Sequence, residues 1–231
     1  QATVTASSEP PLEFRESDQF RALDMPLAQL FPVSTSRLES VELLLQSDRD
    51  EAVRVTLGLR PATFVYDLRP QPDIATATAT VPPRSKGYVR FDFRRAVDPM
   101  RLYAVHLPKM AGLAWAMFTD VFDEAALSPA GTTASELPGP TRWHGITRGC
   151  HFCLRLTPAQ MPYGPQNVVR GSNRPDRWTN IYISDPSRPL PAWLELRLPS
   201  AKRFNTVQVT FDTDINRHSR RPLYRYPDCV K

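Results

Sequence analysis

Apolar and polar residues alternate along much of this chain with a period of two, in short runs broken by turns. Val53, Val55, Leu57 and Leu59 share one face of such a run, and Arg54, Thr56 and Arg60 take the other. Successive side chains of a β-strand point to opposite sides, so the run predicts a half-buried strand. Val41, Leu43 and Leu45 form a similar face just before it, and the intervening Ser47–Asp50 has the length of a hairpin turn. Further on, Val89, Phe91 and Phe93 face away from Arg90 and Asp92. Tyr103, Val105 and Leu107 face away from His106, and Leu113, Trp115 and Met117 follow. The Ala/Thr alternation of Ile74–Val81 suits an edge or loosely packed strand. Helical pattern is confined to Met25–Phe31 and Asp120–Ala126, each good for a turn or two and too short for the crossover helix of a parallel sheet.

These runs predict an all-β protein of two β-sandwich, jelly-roll-like modules. Residues 1–17, rich in Ser, Thr, Pro and Glu, read as a lead-in segment with little core, and 18–126 as the first sandwich. Residues 127–141 hold few core residues and many breakers, which marks a linker. A second set of strands fills 142–231. Phe152, Leu154 and Leu156 alternate with Cys153 and Arg155, Leu194, Leu196 and Leu198 with Glu195 and Arg197, and Val207, Val209 and Phe211 with Gln208 and Thr210. After Phe211 there is room for one or two strands only. The second sandwich therefore either stops inside its own domain or finds its remaining strands on another chain.

Composition narrows the picture. The chain has 231 residues, with 24 Pro against 9 Gly, so its loops are numerous and stiff. Its net charge is +5, yet the basic residues are scattered among acids; only Arg217, Arg220, Arg221 and Arg225 cluster, beside His218. Nucleic-acid binding calls for a denser basic stripe with aromatic platforms, so no nucleic-acid partner is expected. No apolar run approaches the ~18 residues that cross a bilayer, so no membrane span is expected. The chain opens at Gln1 without an initiator Met or a charged and apolar leader, which reads as a processed or cut end and assigns no localisation.

A family resemblance emerges in the second half. Asn167-Val168-Val169-Arg170-Gly171, then Trp178 and Ser184, then Trp193-Leu194-Glu195-Leu196, then Asn205-Thr206-Val207 resemble the ordered landmarks of discoidin-like sandwiches, which also occur as carbohydrate-binding modules. Phe204-Asn205-Thr206-Val207 leading to Phe211-Asp212-Thr213-Asp214 resembles the C-terminal β-rich region of bacterial FAD-dependent oxidoreductases, where a preceding sandwich is also typical. The resemblance is dense over 165–217. It implies that FAD belongs to a flavin-binding domain of the same parent protein or of another chain, since no G-x-G-x-x-G opens a helix here.

Candidate chemistry is sparse. Cys150-His151-Phe152-Cys153 is a C-x-x-C that His144 and Cys229 could extend toward a zinc set, but no second C-x-x-C exists, and no metal is assigned. Asp212-Thr213-Asp214-Ile215-Asn216 begins like a calcium loop, yet Arg217 stands where Gly is needed and Leu223 where Glu is needed. None of His106, His144, His151 and His218 sits in a nucleophile motif, no catalytic residue is nominated, and His106 reads as a surface histidine. The best binding candidate is Arg174, Arg177, Trp178, Asn180 and Tyr182, joined by Trp143. Their planar hydrogen-bonding groups and stacking faces suit a saccharide. In the resembled fold the Trp near a Ser commonly packs inside, so core packing of Trp178 stands beside the ligand reading. The expectation is a non-catalytic β-sandwich portion of an FAD-dependent-oxidoreductase-like enzyme, serving as scaffold or substrate-side cap. The alternative is a free-standing discoidin-type carbohydrate-binding protein.

Overall fold

The computed structural model describes residues 2–62, 72–119, 133–137, 142–145, 150–170, 178, 180–185 and 187–210. The protein is all-β. Its chain divides into Leu12–Pro162 and a second unit made of Gln1–Pro11 with Tyr163–Lys231.

The first strand, β1 (Thr3–Ala6), belongs to the second unit. The first unit carries β2 (Phe20–Ala22), β3 (Leu27–Val33), β4 (Arg37–Ser47), β5 (Val53–Ala62), β6 (Ala75–Val81), β7 (Lys86–Ala96), β8 (Arg101–Leu107) and β9 (Leu113–Thr119). These eight pair as a rolled hairpin ribbon: β2 with β9, β3 with β8, β4 with β7 and β5 with β6, all antiparallel. Two further pairings, β4 with β9 and β5 with β8, close the ribbon into sheets ordered β2-β9-β4-β7 and β3-β8-β5-β6. This is the strand order of a jelly roll. Consecutive strands therefore alternate between the sheets except at the β5-β6 hairpin, and Ser47–Asp50 carries the chain from one sheet to the other instead of closing a hairpin.

The alternation does its expected work here. Val55, Leu57 and Leu59 are fully buried, while Arg54 and Thr56 are exposed and Val53 is half-buried at the strand start. Facing them across the sandwich are Val41, Leu43, Phe91 and Trp115, each completely covered. Among the described residues β6, the Ala/Thr strand, has β5 as its one partner and ends its sheet, as an edge strand. Met25–Phe31 is not a helical turn. Leu27–Val33 is a strand buried at every position, and such strands read as continuous apolar runs.

Four more strands extend this unit. β10 (Thr133–Leu137) falls inside the expected linker, yet it pairs with β3 and with β11 (Arg142–Gly145). β12 (Cys150–Phe152) pairs with β9, and β13 (Leu154–Thr157) with β4. β4 and β9 touch only over Leu45–Ser47 and Leu113–Trp115, then diverge, and Cys150–Thr157 enters the fork between them. The Cys153 carbonyl sits at the crotch, accepting from Leu44 N–H at 3.2 Å and Trp115 Nε1–H at 2.9 Å. Gln29 reaches from the other sheet, its Oε1 accepting Phe152 N–H at 2.8 Å. The first unit thus runs to residue 162, past the boundary expected at 127–141.

The lead-in segment is also more than a lead-in. Leu12 and Phe14 are buried at 8 %, and Leu12–Asp18 lies as a strap over the outer face of the β2-β9-β4-β7 sheet. Its polar side chains grip that face: Glu16 receives Tyr88 Oη–H at 3.0 Å, and Lys86 reaches Asp18 at 2.7 Å.

In the second unit, β1 pairs with β14 (Leu194–Arg197) in a two-stranded antiparallel ribbon, and a 3-10 turn spans Pro165–Val169. Among the described residues no second sheet faces that ribbon. Val207 and Val209, expected in a core, are 73 % and 66 % exposed, and Phe211 lies outside the described residues. No described helix is long and apolar enough to cross a membrane.

Candidate functional site

Of the six residues proposed to contact a ligand, Arg174 and Arg177 lie outside the described residues. Trp143 is on β11 opposite Glu136, and its side chain is likewise outside them. The other three act as fasteners. Trp178 is 5 % exposed, and its Nε1–H donates to Asn167 Oδ1 at 2.9 Å. Asn167, also buried, passes the link on by donating Nδ2–H to the Ile181 carbonyl at 2.8 Å. Asn180 takes a left-handed backbone, φ 49°, a conformation Asn tolerates better than most residues. Tyr182 donates its hydroxyl to the Ser8 carbonyl at 2.9 Å. A buried indole bonded to a buried amide is packing, and the Trp178 ring offers no exposed stacking face. The nearby cleft, about 310 Å³, is lined by Ser7, Ser8, Asp185, Arg188 and Leu190 rather than by Trp178, Asn180 or Tyr182.

Two clusters in the first unit were not singled out by sequence. On the outer face of the β3-β8-β5-β6 sheet, His106 Nε2 lies 2.8 Å from Asp73 Oδ1 and 2.6 Å from Arg60 Nη2, and Arg60 Nε donates to Asp73 at 3.1 Å. His106 is a held, half-buried histidine, its side chain 17 % exposed. One imidazole nitrogen cannot donate to a carboxylate and accept from a guanidinium at once. Protonated, Nε2 serves Asp73; deprotonated, it accepts from Arg60. Space for the ring comes from Gly58, directly opposite on β5, where a Cβ would fall 2.0 Å from His106 Nε2. A glycine inside the Val53–Arg60 alternation was the signal, since strand glycines mark close approach.

The second cluster lies under the strap. Leu44, Ala116 and Cys153 are buried there, with Phe20, Tyr88 and Phe118 packed around them. Arg155 stacks 3.8 Å over the Tyr88 ring and donates to Glu16 at 2.5 Å. Hydrogen bonds from Arg155 and Tyr88 hold the Glu16 carboxyl below the usual carboxylate range, and burial with the Glu16 contact pushes Tyr88 up to about 12. Burial raises the Cys153 thiol to about 11, and its Sγ–H donates to the Arg15 carbonyl at 3.2 Å. A thiol so placed stays protonated and is neither nucleophile nor thiolate ligand at neutral pH. Among the described residues no three His, Cys, Asp or Glu gather around a common point that could hold a metal. His151, one position from the C-x-x-C end, is 1 % exposed with both ring nitrogens unpartnered.

Comparison with known proteins gives no family model that matches this chain and no curated protein that matches it. The reading of function therefore rests on the residues themselves.

Proposed function

We propose that the chain is the non-catalytic β-rich portion of a larger enzyme of FAD-dependent oxidoreductase type, serving as scaffold or substrate-side cap. One observation carries this. Among the described residues, the large hydrophobics standing in the open all lie in the second unit, led by Leu190 at 80 %, Val207 at 73 %, Val209 at 66 % and Phe204 at 64 %. Large apolar side chains left open in this number point to burial against another polypeptide. The flavin belongs on that partner. A pyrophosphate wants a glycine-rich turn at a helix N-terminus. The helical element described here is a five-residue 3-10 turn whose leading Gly164 has the Glu9 carboxylate against it. These residues do not fit a dinucleotide.

The test has two arms. The reading frame on either side of the chain should encode a strand, a glycine-rich turn and a helix. The purified chain should bind an apolar-surface dye, and Phe204→Asp/Val207→Asp should reduce that binding without lowering the melting temperature. Flanking sequence without a nucleotide cradle, together with a dye-silent monomer, would sink the proposal.

A saccharide-binding reading keeps one supporting observation: Trp193, 52 % exposed, offers a stacking face. Calorimetric titration with plant and microbial glycans, run beside Trp193→Ala and Trp178→Ala, separates the two readings. Binding lost in Trp193→Ala would favour the saccharide.

A further inference from the structure

We propose that the strap Leu12–Asp18 is an acid-released cover, with His151 as the group that releases it. His151 stands on β12 beneath the strap, stacked 5.1 Å from the Phe118 ring and edge-on to Phe14 of the strap at 5.4 Å. It is buried to 1 % exposure, and neither ring nitrogen has a hydrogen-bond partner. A buried polar group without a partner is destabilising, and a buried cation without one far more so. The imidazole is tolerated in this slot only while neutral.

The groups facing the slot do not relieve a positive charge. From the strap, Arg15 stands 5.5 Å over the Phe118 ring and presents a like charge. β9 contributes Phe118 and Ala116, which carry none. Between β12 and β13 lies the Cys153 thiol, neutral as argued above. The carboxylate of Glu16 is held by Arg155 of β13 and Tyr88 of β7, and that of Asp18 by Lys86. Burial accordingly brings His151 down to about 4, with the Arg15 charge pulling the same way; the Phe152 backbone, close to the ring but outside hydrogen-bond geometry, pulls upward by less than burial lowers it.

The sign of the linkage follows. With the strap lifted, an exposed imidazole has an ordinary pKa of about 6.5. Between pH 6.5 and about 4 the open form takes up a proton that the closed form refuses, so acid favours opening. Above that window the histidine has no influence, and below it no further one. From pH 7 to pH 5 these two values raise the ratio of open to closed roughly twentyfold.

The strap is suited to leave on its own. Its sequence is polar apart from Leu12 and Phe14, and two of its backbone ties run to Cys153, just before β13, and to the loop after that strand. Leu12 N–H donates to the Gln160 carbonyl at 2.7 Å, and the Arg15 carbonyl accepts from Cys153. Segments with few buried apolar contacts open below the global unfolding free energy. Its release bares Phe20, Leu44, Phe118 and the Cys153 thiol without disturbing the core between the sheets.

Hydrogen exchange of the whole chain, measured at pH 7, 6 and 5 and corrected for intrinsic exchange rates, tests this in wild type, His151→Phe and Glu16→Gln. Wild-type strap amides should exchange about twentyfold faster at pH 5 than at pH 7 relative to intrinsic rates, with β3 and β8 amides unchanged. His151→Phe keeps the stack and should be flat across that range. Glu16→Gln should open more at every pH with the wild-type slope. A flat wild type, an unaltered slope in His151→Phe, a lost slope in Glu16→Gln, or a parallel rise in β3 and β8 would each overturn the proposal. Should His151→Phe fail to fold, nuclear magnetic resonance titration of the wild-type imidazole decides. A midpoint near 4 supports the proposal, and one at 6 or above overturns it.

Discussion

The two units of this chain use the same sequence device with opposite results. In the jelly-roll unit, Val55, Leu57 and Leu59 alternate with polar residues and are sealed at 0 % exposure, because a second sheet stands opposite. In the other unit, Leu194 and Leu196 alternate with Glu195 and Arg197 on β14 just as regularly, yet stand 39 % and 49 % exposed. Alternation fixes which side chains share a face. It does not supply the layer that covers them, and a two-stranded ribbon alone is at best marginal in water. Among the described residues the difference between the units is therefore a difference in partners, not in strand-forming tendency.

The largest expected effect comes from cutting the first unit where its sequence suggests. A chain ended after Ala126 lacks β10 to β13 and leaves the fork between β4 and β9 empty, so it should show no cooperative thermal transition. Leu12–Pro162 alone should melt cooperatively, and calorimetry of the two fragments checks both statements. Next, Val55→Asp places an unpaired charge in a sealed core and should cost about 4 kcal/mol or more, whereas Val209→Asp should stay within about 0.5 kcal/mol. Equal losses in denaturant melts would erase the contrast between the units. Smaller again, Gln29→Leu keeps the volume but strands the buried Phe152 N–H, with an expected loss of about 2 kcal/mol. Smallest, Gly58→Ala pushes the His106 ring away from Asp73 and Arg60 and should cost about 1–2 kcal/mol, visible as a shifted His106 resonance.

The inward faces of the jelly roll were legible because each inward residue is flanked by outward polar ones. Pairing was not. Ser47–Asp50 is equally compatible with a hairpin and with a crossing between sheets, since turn length constrains only the ends it joins. β3 reads as a helical turn in the sequence because strands buried on both faces lose the polar half of the pattern. The strap escaped because two covering residues, Leu12 and Phe14, are set among Ser, Pro and Glu. For the ligand candidate, residue types alone could not tell a stacking Trp from a packed one. Asn167, eleven positions earlier, decides the matter by capturing the Trp178 indole.

The fork in the β2-β9-β4-β7 sheet also has a consequence in time. A chain made from its N-terminus completes β9 at Thr119, but Cys150–Thr157, the segment that fills the fork, is finished only at residue 157, 38 residues later. At typical elongation rates of about 5–20 residues per second, that interval lasts roughly 2–8 s. Throughout it the β4 edge at Ser40–Leu43 and the β9 edge at Met117–Thr119 lack their partner strand. Nascent chains should therefore pass through a brief window in which foreign strands compete for the slot, and slower translation of residues 120–157 should lower the soluble yield.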